Sequence, residues 1–318
     1  MGAAGGRAVP LVAVLAGVAV LPAVVDSRYV LSTLVFVALH ALAALGLSLV
    51  MGFAGQVSLG QAAFFAIGAY VSGVLTASHG WNGWAALVLA TAAGAVTALA
   101  VGGPIFRLSG LLLAMATLGF GVIVYYVLVN WTAVTGGPSG LTGIPPLALG
   151  GFRFDTDARV FRLAWGALLL VLWLAGNLVD SRVGRALRAV AASEAAAEAA
   201  GIDAARLKLG IFAVAGGITA LAGGLYAHYV AFVSPSPFGF AYSVELVVMV
   251  VLGGVARLWG AVLGAAAVVA LVEILRGALP ALTASHGAAE YEIVVFGLIL
   301  MTFMIFLPSG LSGARRPA

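Results

Sequence analysis

Apolar runs long enough to cross a bilayer follow one another through almost the whole of this 318-residue chain, and that succession constrains its fold most. A helical crossing takes about 20 mostly apolar residues. Inside hydrocarbon every backbone polar group must be satisfied within the protein, so each run is expected to be helical. In order, the runs are Ala8–Val25, Tyr29–Val50, Val57–Ala77, Trp84–Val101, Leu108–Trp131, Leu163–Val179, Leu207–Tyr229, Val244–Ala256, Gly260–Leu275 and Tyr291–Leu307. The expected fold is an all-α polytopic membrane protein with about ten transmembrane helices, forming one domain over residues 1–318. Val244–Ala256 is short for a crossing; it either starts nearer Phe238 or enters and leaves by one face. The first run follows a basic residue, as in a signal peptide. It is long for such a segment and no Ala-x-Ala precedes Asp26, so it is read as a span.

Charged residues make up 8% of the chain, against about a quarter in soluble domains, which excludes an ordinary soluble globule. The net charge of +4 does not indicate nucleic-acid binding, because the arginines sit mostly between the runs. With the N-terminus in the cytoplasm and ten alternating spans, ten of the 15 basic residues fall inside and five outside. That bias follows the positive-inside rule and places both termini in the cytoplasm. Trp81, Trp84, Trp131 and Trp259 fall near span ends, as interfacial anchors. The chain has no cysteine, hence no disulfide framework or thiolate site.

One long segment suits water: Arg182–Leu207, overlapping a connector over residues 180–206 that the same topology puts in the cytoplasm. Ser193 is placed to cap a short alanine-rich helix carrying Glu194 and Glu198, with Gly201 as its left-handed stop and Asp203 capping the next helix. Arg185 and Arg188 precede it, and Lys208, the only lysine, follows. The alternatives are a solvated connector and a docking element for a motor subunit outside this chain. The helix–glycine–helix grammar favours docking.

Two further segments stand out. Gly52–Tyr70 reads GFAGQVSLGQAAFFAIGAY, where glycines interrupt an apolar run and crowd Gln56, Ser58 and Gln61 together. Polar groups beside a helix break are tolerated where the backbone packs on protein or lines a cavity. A tight water-facing turn and a pathway lining stand as equal readings. The outer loop over residues 132–162 contains TGGPSGLTGIPP, a turn-rich connection by its glycines and prolines or a gate at the outer mouth. Gly260 with Gly264, and Gly68 with Ser72, have the spacing of close helix contacts.

Leu209 follows the only lysine, so a phosphate-binding GxxxxGK[ST] loop is impossible. His40, His79, His228 and His286 share no metal-ligand spacing. Neither a nucleophile elbow nor a zinc-protease helix appears. Glu245, Glu273 and His40 are the sparse ionisable groups in or near spans, too few for the relay of an ion-driven carrier. A stand-alone carrier or channel and a membrane enzyme are the rival classes; energy for transport is expected from another subunit.

GFAGQVSLGQAAFFAIGAY, TGGPSGLTGIP, GRALRAVAASEAAAEAAGIDAARLKLGIFAVAGGITALAGGLYAHY and VVLGGVARLWGAVLGA resemble, in order and spacing, permeases of the branched-chain amino acid class of bacterial ABC importers. The chain departs from that pattern at Ala256–Arg257 and Ala261, which bears on the local turn there. The resemblance implies the larger of two paired permease types, in a bacterial inner membrane. Its partners would be a second permease, two cytoplasmic ATPases, a periplasmic or lipid-anchored binding protein, and membrane lipid. Arg185, Arg188, Glu194, Glu198 and Gly201 would couple to the ATPases. Gln56, Ser58 and Gln61 would line part of the path, and Gly136, Gly137 and Gly140 would shape the outer loop. The chain would hold no cofactor, since ATP and magnesium would bind the partner subunits. Leucine, isoleucine and valine are the implied substrates; relatives import urea, amides or other small polar solutes.

Overall fold

The computed structural model describes residues 21–22, 27–282, 297 and 311, so the expected spans Ala8–Val25 and Tyr291–Leu307 lie outside the described residues, apart from Leu21, Pro22 and Gly297. The chain is predominantly helical. The principal membrane-region helices are α1 (Arg28–Ser48), α2 (Gln61–Ala77), α3 (Gly83–Ile105) and α4 (Gly110–Asn130). A four-residue α5 (Thr132–Thr135) precedes α6 (Asp157–Asp180), the short α7 (Arg182–Ala192) and α8 (Glu194–Ala199), then α9 (Ala204–Val230), α10 (Phe240–Gly253) and α11 (Leu258–Leu282).

Six helices among the described residues are long and apolar enough to cross a membrane: α1 with the π-turn that extends it to Phe53, α3, α4, α6, α9 and α11. The helices α2 and α10 are also apolar but have 17 and 14 residues. At 1.5 Å per residue they reach only ~25 and ~21 Å, less than the ~30 Å hydrocarbon core. The run expected over Val244–Ala256 is α10, beginning at Phe240 after a 3-10 turn at Ser236–Phe238 and ending at Gly253. The run expected from Val57 becomes helical only at Gln61, because residues 54–60 form a break.

The core is built around α1 and α9. From Val35 to Val50 almost every residue of α1 and its π-turn is buried. Small residues let α9 approach its neighbours closely, as packing in lipid requires. A side chain at Gly68 would collide with the Ala220 carbonyl, and one at Gly223 with the Phe65 carbonyl. The expected small-residue contact thus joins α2 to α9, where the Ser72 hydroxyl also bonds His228 at 2.8 Å. Gly260 packs against Gly253 across the α10–α11 contact, and Gly264 against Met249.

The inter-helix segments divide between the two ends of the bundle. At one end the outer loop crosses the tips of α2, α3, α6 and α9. It is not wholly irregular, as an all-helical reading would have it. Strand β1 (Leu141–Thr142) pairs antiparallel with β4 (Phe232–Val233), and β2 (Ala148–Leu149) with β3 (Phe152–Arg153). The backbone there has no helix to satisfy it, so neighbouring segments pair instead. At the other end lie the helix break, the connector and the start of α9.

Candidate functional site

The connector has the local grammar read from its residues. The Ser181 hydroxyl caps α7, accepting from the amides of Val183 and Gly184. The Ser193 hydroxyl accepts from the Ala196 amide at 3.3 Å to open α8. Gly201 has φ +82°, and the Asp203 carboxylate accepts from the Arg206 amide at 3.0 Å to open α9. Val190, Ala197 and Ala204 form a small buried cluster that seats the connector on α9.

Of the expected coupling residues, Arg185 and Arg188 turn back onto the membrane bundle. Arg185 donates to the Asp180 carbonyl at 3.1 Å and Arg188 to the Val179 carbonyl at 3.0 Å. Helix ends leave such carbonyls without intrahelical partners, and a guanidinium satisfies them while matching the negative pole of the helix. Glu198 and Gly201 face outward, exposed. Glu194 pairs with Lys208, Oε2 to Nζ at 2.5 Å, where the lysine side chain is 5% exposed and the glutamate 47%. This pair is the charged tie between α8 and the first turns of α9. No short-range pattern signals it, since the partners are 14 residues apart on different helices.

The expected pathway residues divide. Gln56 opens on a cavity of about 320 Å³, together with Gly55, Gly110, Ala191, Glu194 and Lys208. The helix break and the connector, far apart in sequence, therefore share one space. Ser58 and Gln61 are instead enclosed, at 1% and 0% exposure. Gln61 Oε1 accepts from the Thr219 hydroxyl on α9 at 3.0 Å, and its Nε2 has no partner among the described residues. The break survives among apolar helices because hydroxyls from elsewhere satisfy its amides. Leu59 N donates to Thr117 Oγ1 at 3.0 Å, and Ala62 N donates to Ser243 Oγ at 3.1 Å. Thr117 and Ser243 were not singled out in the sequence; a lone hydroxyl in an apolar helix carries no label of its partner.

At the opposite end, Gly136, Gly137 and Gly140 have φ of +75°, +60° and +75°. At Gly140 a side chain would also strike the Val233 carbonyl on β4, so glycine is required there twice over. Thr135 Oγ1 accepts from the Gly137 amide at 3.1 Å. The loop is held down by His228, whose Nδ1 lies 2.7 Å from the Pro145 carbonyl. A carbonyl only accepts, so Nδ1 carries the hydrogen and Nε2 is left to accept from Ser72. Trp84 Nε1 donates to the Ala148 carbonyl at 2.8 Å, and Ile144 and Leu147 are buried beneath. The outer loop is a seated cap.

The family model described as the branched-chain amino acid transport system permease component matches residues 29–304. The high-affinity branched-chain amino acid transport system permease protein LivM of Salmonella typhimurium (strain LT2) is 34% identical over 86% of this chain and 67% of its own length. LivM of Escherichia coli (strain K12) shares the same identity and coverage. The permease LivH of Escherichia coli (strain K12) is 24% identical over 86% of this chain and 91% of its own length. No solved structure gives a significant match. With buried apolar helices of crossing length and a match over most of its residues, the chain belongs to the branched-chain amino acid permease family, nearer in identity to LivM, the larger permease type, than to LivH.

Proposed function

We propose that this chain is the membrane-spanning permease subunit of an ATP-driven importer, passing leucine, isoleucine and valine from a binding protein into the cytoplasm. It would work beside a second permease of the same family and two cytoplasmic ATPases that hold the ATP and magnesium. The observation that carries the reading is the shared cavity between the Ala54–Val57 break and the connector, bridged by the Glu194–Lys208 pair. A push on α8 has a direct route into α9 through that pair, and α9 is the helix most closely packed against α2 and α3. Glu198 and Gly201, exposed on the connector, would meet the ATPases; Arg185 and Arg188 would hold the connector's base to α6. The path would be lined in part by Gln56, Ser58 and Gln61, where the Gln61 Nε2, without a partner among the described residues, has a hydrogen-bond donor to spare.

Support for the orientation comes from charge. Arg107, Arg182, Arg185, Arg188, Arg206, Lys208 and Arg257 all lie toward the connector end, which the positive-inside rule assigns to the cytoplasm. The bilayer would be the inner membrane, as for a binding-protein-dependent importer.

Co-purification from native membranes, followed by leucine uptake in liposomes, tests the proposal. A second permease and two ATPases should travel with the chain, and uptake should require ATP and the binding protein. A chain that purifies alone and transports without ATP would be a carrier or channel. An assembled importer that ignores leucine but takes urea or amides would keep the architecture and change the substrate.

A further inference from the structure

A cavity of about 470 Å³ lies away from the connector, between α1, α2, α9, α10 and α11. Its volume is that of a small-molecule site. Its walls combine two chemistries. Phe36, Phe65 and Phe238 supply apolar rings, with Tyr226 and Tyr242 completing an aromatic cluster around Phe65 at centroid distances of 5.2–5.6 Å. Glu245 on α10 and Arg276 on α11 also line it.

The polar wall is positioned by its surroundings. His40 Nδ1 is 3.0 Å from the Tyr242 hydroxyl, which fixes the ring one turn before Glu245. Glu273, one turn before Arg276, accepts a short hydrogen bond from the Tyr29 hydroxyl and faces the Arg276 guanidinium at 4.0 Å. Glu273 is thereby already engaged, and Glu245 is the other carboxylate that lines the cavity.

We propose that this cavity is a transient binding station for a free α-amino acid with an apolar side chain, Glu245 receiving its ammonium and Arg276 its carboxylate. Opposite charges lining one cavity match a zwitterion and disfavour a solute with one charge, by charge-assisted hydrogen bonds at both ends. The rings receive the aliphatic side chain, which a polar side chain would enter only by losing its hydration. The proposal rests on the importer reading and adds to it a site within this subunit.

The test uses the complete reconstituted importer and three probes: L-leucine, L-leucinamide, which lacks the carboxylate charge, and 4-methylpentanoate, which lacks the ammonium. Binding is read by saturation-transfer NMR competition with the binding protein absent. The wild type should favour leucine over either truncated probe by about tenfold, the worth of one charge-assisted bond. Arg276→Gln should bring leucine and leucinamide level while still disfavouring 4-methylpentanoate; Glu245→Gln should do the reverse. A merely structural role would weaken all three probes together, and thermal unfolding checks that each variant is folded. Equal binding of the three probes by the wild type, no binding of any, or discrimination unchanged in both variants would overturn the site. ATP-dependent leucine uptake in the same liposomes separates the two ideas: uptake without the discrimination pattern sinks the station alone, and no uptake sinks the importer reading.

Discussion

At the scale of single residues, the Glu194–Lys208 pair is asymmetric, and the asymmetry makes a prediction. Lys208 is almost wholly buried and Glu194 is half exposed. Removing the carboxylate leaves an ammonium without its counter-charge, whereas removing the lysine leaves a glutamate that water can reach. Glu194→Ala should therefore cost about 2 kcal/mol of stability and Lys208→Met less than about 1 kcal/mol. Thermal unfolding of the purified variants would show the ranking, and the reverse order would mean that the lysine finds other partners. Both changes cut the same tie, so both should lower leucine uptake per ATP hydrolysed. Gln61 gives a second test. Its Nε2 is buried without a partner among the described residues, and the Thr219 hydroxyl has its own helix carbonyls to turn to. Gln61→Leu should change stability by less than about 1 kcal/mol. Uptake should fall several-fold if the amide meets the solute; unchanged uptake would remove Gln61 from the path.

At the scale of elements, the connector and the outer loop are rigid by different means, and each has a change that isolates it. Glu198→Ala on the exposed face of α8 should leave insertion and folding intact while ATP hydrolysis no longer drives uptake. Coupled uptake at the wild-type level would sink the lever role. Gly140→Ala puts a methyl on a left-handed backbone and against β4, and should cost about 1–3 kcal/mol. Faster proteolysis of the outer loop would register the loss of the β1–β4 pair. These elements were legible in the residues to different depths. The caps at Ser193 and Asp203 and the stop at Gly201 lie within a few positions of the amides they serve, so local pattern is enough. Thr117 serving Leu59, Ser243 serving Ala62 and His228 holding Pro145 depend on how helices are rotated against one another, which hydropathy does not encode. The pathway trio illustrates the limit: adjacent in sequence, Gln56 opens on a cavity and Gln61 is sealed in packing, because the chain turns from break to helix between them.

At the scale of the whole molecule, the crossings were legible by composition wherever a helix exceeds the bilayer, and blurred where it does not. Of the run starting at Val57, the first four residues belong to the break, and α10 begins four residues before its expected start; Gly60 and Gly239, not hydropathy, set both boundaries. Orientation is open to a direct test, because the chain has no cysteine to remove first. Glu198→Cys should react with a membrane-impermeant maleimide only from the cytoplasmic side. Leu149→Cys, at a position 64% exposed on the outer loop, should react only from the other side. Labelling of both from one face would overturn the crossing by α6 between them.

The burial of Lys208 has one more consequence. As the only lysine, it is the only side-chain primary amine in the protein, and it is shut away for as long as Glu194 holds it. Acylating reagents that modify amines should pass over the resting permease apart from its amino terminus. Any step that lifts α8 from α9 would uncover this one nucleophile, so the rate of its acylation becomes a clock for the motion, built into the chain without an added probe.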